Sequence, residues 1–101
     1  MAVAMVMPKT TPEIKVELFD GDPHAFVEQF RAAATFNGGR MSTIDGVRVD
    51  WPDGWGLVRA SNTTPVLVMR FDADSSGAIA RIQKTFREQL LALKSDLVLP
   101  F

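Results

Sequence analysis

Cysteine is absent from the 101-residue sequence, and neither sign of charge is in excess. Without cysteine, the chain can form neither a disulfide framework nor a thiolate metal site. The formal net charge of −1 gives the chain no general attraction to nucleic acid or to an anionic membrane. We therefore expect neither nucleic acid nor membrane as a partner, and a reducing cytoplasm as the compartment.

Long apolar runs are also missing. The first residues, MAVAMVMP, are apolar but lack a basic region and fall far short of the roughly 20 residues that a membrane span requires. The prolines Pro8 and Pro12 then indicate a linker. We expect residues 1–12 to be a linker or the remnant of a preceding domain, and residues 13–101 to form one small domain.

The sequence also lacks the groups that a complete small enzyme would need. No nucleophile–base pair and no cluster of metal ligands is visible in it. The single histidine, His24, has no serine or cysteine beside it, and we interpret it as a solvated residue in the first turn of a helix. We predict no catalytic residue and no metal ligand in this chain.

Apolar residues alternate with polar ones in several short segments bounded by turn residues. This pattern predicts strands. Residues 40–44 can form the second strand along the chain, and the dipeptide Asp45-Gly46 that follows them is a signal for a hairpin turn. The other predicted strands are residues 13–19, 47–51, 55–61 and 66–73.

Two helices are predicted from apolar stripes at helical spacing. The first covers about residues 23–35 after the N-cap Asp22, and the second covers about 17 residues after Asp74 or Ser75. Hairpin connections favour antiparallel pairing, and two one-sided helices favour a single helical layer. We predict an α+β fold, a four-stranded and mainly antiparallel sheet with two helices packed on one face.

The segment RASNTTP, residues 59–65, joins two of the predicted strands and holds an arginine, three hydroxyls and an amide but no carboxylate. A guanidinium donates two parallel hydrogen bonds to a phosphate, and hydroxyl, amide and turn N–H groups can fill the remaining acceptor positions. An ordinary polar turn is the competing interpretation, because Ser, Asn and Thr are turn residues. Inward folding of Arg59 onto a carboxylate, with the loop hydroxyls used by the turn, would favour that second interpretation.

Longer segments of the sequence are similar to a known family. DGVRVDWPDGWGLVRASNTTPVLVMRFDAD, residues 45–74, closely resembles the C-terminal domain of the bacterial phosphomannomutase/phosphoglucomutases, which are members of the α-D-phosphohexomutase family. Within it, GWGLVRASNTTPVL resembles the phosphate-binding loop of that family. TTPEIKVEL near the start resembles the hinge segment that leads into the last domain, and LVLPF resembles the family's terminus.

The resemblance implies a function and its partners. Family enzymes interconvert hexose 1-phosphates and 6-phosphates through a bisphosphorylated sugar, with a phosphoserine in the first domain and a magnesium ion held by the second. Their last domain clamps the non-reacting phosphate and rotates to close the cleft. The implied partners are glucose or mannose 1- or 6-phosphates and the other domains of the parent enzyme, and the chain itself is expected to bind no cofactor and to be inactive alone.

The resemblance also assigns residues by their position in the motif. It implies that the substrate phosphate is bound by Arg59, Ser61, Asn62 and Thr63. It also implies that the loop is shaped by Thr64 and Pro65.

A different class of function is a non-catalytic interaction module that binds nucleic acid or protein through the open sheet face. Such a face would need a basic stripe with exposed aromatic residues. Arg48 and Arg70 can share a face, but acidic residues alternate with them and indicate charge pairing instead. Trp51 and Trp55 can stack on a sugar or pack in the core, and the pattern favours the core.

Overall fold

The computed structural model describes residues 13–18, 21–36, 38–43 and 46–101. The predicted linker, residues 1–12, and the Asp45 position of the predicted hairpin lie outside the described residues. The described chain forms strands and helices in the predicted sequence of elements. In chain order they are β1 (Ile14–Glu17), α1 (Pro23–Ala33), β2 (Arg40–Ser42), β3 (Val47–Trp51), β4 (Gly54–Ala60), β5 (Val66–Ala73) and α2 (Ser76–Leu93).

The strands form one five-stranded antiparallel sheet with the order β1-β5-β4-β3-β2. The predicted count of four strands in the sheet is therefore wrong by one, while the α+β class and the antiparallel pairing are confirmed. The alternation pattern had already indicated five strand segments along the chain, and the segment at residues 40–44 supplies β2, a three-residue strand at the sheet edge in which Met41 pairs with Val49.

Both helices pack on the same face of the sheet, as predicted: α1 contacts β3 and β4, α2 contacts β4 and β5, and the two helices contact each other. The Asp22 side chain caps α1 by accepting a hydrogen bond of 3.1 Å from the backbone N–H of His24. The Ser75 hydroxyl caps α2 in the same way, at 3.1 Å from the N–H of Ala78. Neither of these helices, the two in the described ranges, has the length and hydropathy that crossing a bilayer would need.

The core lies between the sheet and the helices and is rich in aromatic rings. The ring of Phe86 on α2 is at its centre, with centroid distances of 4.9 Å to Phe36, 5.3 Å to Phe71, and 6.3 Å to both Phe30 and Trp51. Trp51 thus packs against the core, as predicted. The fully buried side chains come from both layers and are Phe30, Phe71, Phe86, Leu67, Met69, Ile82, Leu90, Val47, Val49 and Val58.

The opposite face of the sheet is lined by alternate residues of the strands, and no helix of the described ranges packs on it. There the Arg48 guanidinium bonds the Asp50 carboxylate, with a shortest distance of 3.0 Å, and lies 4.4 Å from the centroid of the Trp55 ring. The prediction that both tryptophans pack in the core is therefore wrong for Trp55. Its strand position places it on the face away from the helices, where the stem and guanidinium of an arginine cover it.

The turn between β3 and β4 is tied to α2 at one end of the sheet. Arg81 donates two hydrogen bonds to the Asp53 carboxylate, of 2.8 Å and 2.7 Å, and the N–H of Asp74 donates to the Asp53 carbonyl at 2.8 Å. The side-chain hydrogen bond from Arg81 lowers the pKa of Asp53, and the same bond raises the pKa of Arg81. The polar loop 61–65 lies at the other end of the sheet.

Candidate functional site

The polar loop 61–65 connects β4 to β5 and shares its end of the sheet with two other connections. Glu17, the last residue of β1, pairs with Val66, so the chain leaves β1 beside the loop on its way to α1. Val47, the first residue of β3, pairs with Val58, so the β2–β3 connection also reaches this end. The hairpin therefore presents its tip where the start of α1 and the β2–β3 connection also lie.

Backbone hydrogen bonds hold both ends of the loop in place. The N–H of Ser61 donates to the carbonyl of Val66 at 3.1 Å, and the N–H of Val66 donates to the carbonyl of Thr64 at 2.8 Å. The carbonyl of Pro65 accepts a bond of 3.0 Å from the N–H of Leu18, just after β1. The loop is thus fixed to its own hairpin and to the neighbouring edge strand.

The Ser61 hydroxyl organises the loop from inside. It accepts hydrogen bonds of 3.3 Å from the backbone N–H groups of both Thr63 and Thr64, and it lies 3.1 Å from the Thr64 hydroxyl. This is the pattern by which serine side chains stabilise turns. The Ser61 oxygen therefore already accepts hydrogen bonds within the loop.

The Arg59 side chain extends from the penultimate residue of β4 on the sheet face away from the helices. Its guanidinium lies 3.6 Å from the Glu13 carboxylate, and the two side chains are 36% and 46% exposed. That separation is too long for a hydrogen bond, and within the described ranges the guanidinium makes none. Arg59 is thus ion-paired with a carboxylate at the partly exposed sheet surface, and its guanidinium still has N–H donors that could bind another anion.

Glu13 is the residue at this site that the sequence did not reveal. The loop itself has no carboxylate, but Glu13 immediately precedes β1, which is separated from β4 only by β5. No local pattern could predict this proximity, because it depends on the strand order. Exposed ion pairs of this kind contribute about 0–1 kcal/mol, so the contact can be exchanged for a better anion.

The remaining loop side chains face solvent. Asn62, Thr63, Thr64 and Pro65 are all exposed. The Asn62 amide makes no hydrogen bond within the described part of the chain, and the Thr63 hydroxyl has only a 3.5 Å contact to the Ser61 hydroxyl. The structure therefore places the guanidinium, one amide and one hydroxyl near the same hairpin tip without strong internal partners.

A polar cleft of about 240 Å³ adjoins the loop, and we call it the α1 cleft. One wall comes from α1, one from the β2–β3 connection and one from the end of β4 and the loop. The lining residues are His24, Val27, Glu28, Arg31, Thr43, Gly46, Arg59, Ala60 and Asn62. Across the described ranges, no three or more His, Asp or Glu side chains are grouped so that they could hold a metal ion.

Residues 13–89 match the family model described as phosphoglucomutase/phosphomannomutase, C-terminal domain. A phosphomannomutase/phosphoglucomutase of Pseudomonas aeruginosa is 50% identical over 92 residues, which cover 91% of this chain and 20% of that protein. A phosphoglucomutase of Neisseria gonorrhoeae is 51% identical over 80 residues, covering 77% of this chain and 17% of that protein.

A solved structure agrees with these matches. The crystal structure of a phosphoglucomutase/phosphomannomutase family protein from Burkholderia thailandensis superposes with a TM-score of 0.81 at 47% identity, covering 91% of this chain and 19% of that one. The chain thus spans about a fifth of the length of the curated relatives named above. The match over residues 13–89 shows that the chain belongs to the phosphoglucomutase/phosphomannomutase family and corresponds to its C-terminal domain.

Proposed function

We propose that residues 13–101 form the substrate-phosphate-binding domain of a phosphomannomutase/phosphoglucomutase, with residues 1–12 linking it to a preceding domain. The parent enzyme would interconvert hexose 1-phosphates and 6-phosphates through a bisphosphorylated sugar. In this proposal Arg59, Ser61, Asn62 and Thr63 grip the phosphate that is not reacting, and the domain closes the active-site cleft. The phosphoserine, the magnesium ion and the catalytic groups belong to other domains, and the parent is cytoplasmic.

The observation that carries the proposal is that the partly exposed Arg59 guanidinium has only a weak internal partner. It stands at an ordered hairpin tip, makes no hydrogen bond in the described ranges, and contacts only a loosely placed carboxylate. An ester phosphate near neutral pH is a better partner than this carboxylate, because it carries more charge and presents three acceptor oxygens to the fork-shaped guanidinium. The exposed Asn62 amide and Thr63 hydroxyl are close enough in sequence to complete its coordination.

In the proposed phosphate site, Ser61 does more than offer its hydroxyl to the phosphate. Because its oxygen accepts the N–H groups of Thr63 and Thr64, it holds the loop in a shape that can face a phosphate. Its hydroxyl lies 3.1 Å from the Thr64 hydroxyl, and when Thr64 is the donor in that bond the Ser61 proton can go to a ligand. Ser61 thus supports both the loop and the phosphate, whereas Arg59 supplies the charge.

Such a grip suits phosphoryl transfer. The reaction depends on positioning and charge stabilisation more than on covalent help from the protein. Binding energy from a remote phosphate can therefore be used to orient the reacting end of the sugar. A site that accepts either phosphate would serve both halves of the reaction, before and after the bisphosphorylated intermediate turns around.

The proposal is tested by titrating the ¹⁵N-labelled chain with glucose 1-phosphate and with inorganic phosphate. We expect amide shifts concentrated in residues 59–64. Arg59→Ala should remove a charge-assisted contact on the order of 2 kcal/mol, which is about a 30-fold loss of affinity. Arg70→Ala is the matched control, because Arg70 is exposed on the adjacent strand β5 and also faces away from the helices.

Two results would contradict the proposal. One is the absence of shifts in residues 59–64 at saturating ligand, and the other is an equal loss of affinity in the Arg59→Ala and Arg70→Ala variants. The second result would indicate a general attraction of anions to the basic residues of the open face.

The alternative of an interaction module on the open sheet face finds less support. Arg48 is engaged by the Asp50 carboxylate and covers the Trp55 ring, so this arginine and this aromatic residue satisfy each other. A surface for nucleic acid would instead present free cations beside uncovered rings. The arrangement is that of a solvated sheet face.

A further inference from the structure

β1 forms one edge of the sheet, and half of its backbone hydrogen-bonding groups face outward. Among the described elements, β1 is paired only with β5. The N–H of Leu18 donates to the Pro65 carbonyl across this pair, and in an antiparallel pair every second residue makes such bonds. Lys15 and Glu17 have the opposite orientation, so their N–H and C=O groups point away from β5.

The side chains of Lys15 and Glu17 are also without partners. Both are exposed, and both lie on the sheet face away from the helices. Neither forms an ion pair within the described ranges. On the other face of the strand, Ile14, Val16 and Leu18 pack against the core. The unpaired edge thus carries one cation and one anion on one face, and an apolar row on the other.

This pattern is complementary to itself when two copies of β1 run antiparallel. If Val16 of one copy faces Val16 of the other, each Lys15 faces the Glu17 of the other copy. These two residues are also the ones whose backbone groups face outward, so each facing pair can exchange both of its N–H···O bonds. On the helix side, Ile14 of each copy faces Leu18 of the other. The register that matches the charges is therefore the register that pairs the backbone.

The other edge of the sheet lacks this complementarity. β2 has only three residues, and its one charged residue, Arg40, has no acidic residue beside it in the strand. Charged side chains on edge strands ordinarily discourage pairing between sheets. On β1, however, the charge of Lys15 meets an opposite charge in the register described above, because Glu17 lies two positions away. Of these two edges, β1 is therefore the one that suits a second copy.

We infer that this chain associates with a second copy of itself through antiparallel pairing of β1 with β1, which joins two five-stranded sheets into one. The two Lys15–Glu17 pairs fix the register, and the helices of both copies lie on the same side of the joined sheet. Because the interface is small, the dimer is weak and dissociates on dilution. The inference is independent of the proposed phosphate site, since neither Arg59 nor the loop 61–65 takes part in it.

Charge reversal tests the register. In Lys15→Glu, two carboxylates meet in each pair across the dimer, and in Glu17→Lys two ammonium groups meet. Sedimentation equilibrium at concentrations up to about 1 mM should show a wild-type dimer, and either variant should weaken it about tenfold or more. Both reversals in one chain should restore the wild-type dissociation constant. Lys84→Glu, on the exposed side of α2, makes the same change of net charge as Lys15→Glu and should leave association unchanged.

Mixing the two single variants tests the pairing without reference to wild type. One copy then supplies two carboxylates and the other two ammonium groups, so the mixture should associate more strongly than either variant alone. Hydrogen exchange gives a second readout in wild type. Exchange of the amides of residues 15 and 17 should slow as the concentration rises, whereas the amide of residue 16, which faces β5, should exchange slowly throughout.

Three results would overturn the inference. The first is a wild-type chain that stays monomeric at about 1 mM, a concentration that populates even weak dimers. The second is a wild-type dimer that neither single reversal weakens, which would place the contact elsewhere on the chain. The third is a mixture that associates no more than its two components.

Discussion

The Arg59 guanidinium and the Glu13 carboxylate face each other at 3.6 Å on the side of the sheet opposite α1 and α2, although 46 positions separate them in the sequence (59 minus 13). Both side chains are solvated, and the contact is too long to be a hydrogen bond. Glu13 is thus a weak internal substitute for the anion that we propose for Arg59.

Removing this carboxylate should strengthen phosphate binding. In Glu13→Gln the phosphate no longer competes with an internal anion, and one local negative charge is lost. We expect the affinity for inorganic phosphate to rise about two- to fivefold, as fits an exposed ion pair. The shift titration measures this change, and Glu88→Gln on α2 controls for net charge. A similar gain in both variants would show that only the overall charge matters.

Gly46 lies just before β3 and packs closely against the end of β4. It adopts a φ of +94°, and a β-carbon added there would clash with the Val58 carbonyl oxygen and lie 2.7 Å from the Arg59 β-carbon. Gly46→Ala should therefore destabilise the fold by about 1–3 kcal/mol in chemical denaturation and weaken phosphate binding by displacing Arg59. Gly21→Ala is the control, because Gly21 has a φ of +113° but no atom within 4 Å of the added carbon. If Gly21→Ala weakened phosphate binding equally, the contact with Arg59 would be irrelevant to binding.

The Asp53–Arg81 pair should make stability depend on acid pH. The Arg81 hydrogen bond holds the folded-state pKa of Asp53 below its ordinary value of 3.8. The pair's stabilisation is therefore fully present above about pH 4, and it is lost as the pH falls through the lowered folded-state value. Asp53→Asn should melt at a lower temperature than wild type at pH 7, and the difference should shrink as the pH falls below 4. Melting curves at several pH values check this, and a difference that stayed constant would contradict it.

Phe86 should be among the most sensitive core positions. Its ring is fully buried and has four aromatic neighbours, so Phe86→Ala would leave a cavity that the rigid sheet cannot fill. We expect a loss of about 3–5 kcal/mol in chemical denaturation. Phe101→Ala removes the same side chain from a partly exposed position beside Phe71 and should cost clearly less. Equal losses would mean that the aromatic cluster does not centre on Phe86.

Local signals in the sequence were sufficient for much of the fold. Asp22 followed by proline predicted the start of α1, and the stripe of Ile79, Ile82 and Phe86 predicted the buried side of α2. These features depend on residues within one or two helical turns, which is the range over which caps and periodicity act. The polar loop was also recognisable, because its composition departs from that of a tight hairpin.

The features that escaped prediction depend on strand order, on the choice of face or on contacts between elements that are distant in the sequence. The Glu13–Arg59 contact requires β5 to lie between β1 and β4. Trp55 lies between two glycines, and the alternation there does not reveal which face is buried. The turn of β3 and β4 meets α2 through Asp53 and Arg81, residues that are distant in the sequence and are joined only by tertiary packing.

The hydrogen bond from Leu18 to the Pro65 carbonyl gives the loop a mechanical connection to the first strand. β1 is paired with β5 along its length, so tension applied to the chain before β1 acts on these bonds in shear, where many must yield together. The loop 61–65 would therefore move together with β1. A displacement of β1 would reach the loop through hydrogen bonds alone, with no intervening flexible segment.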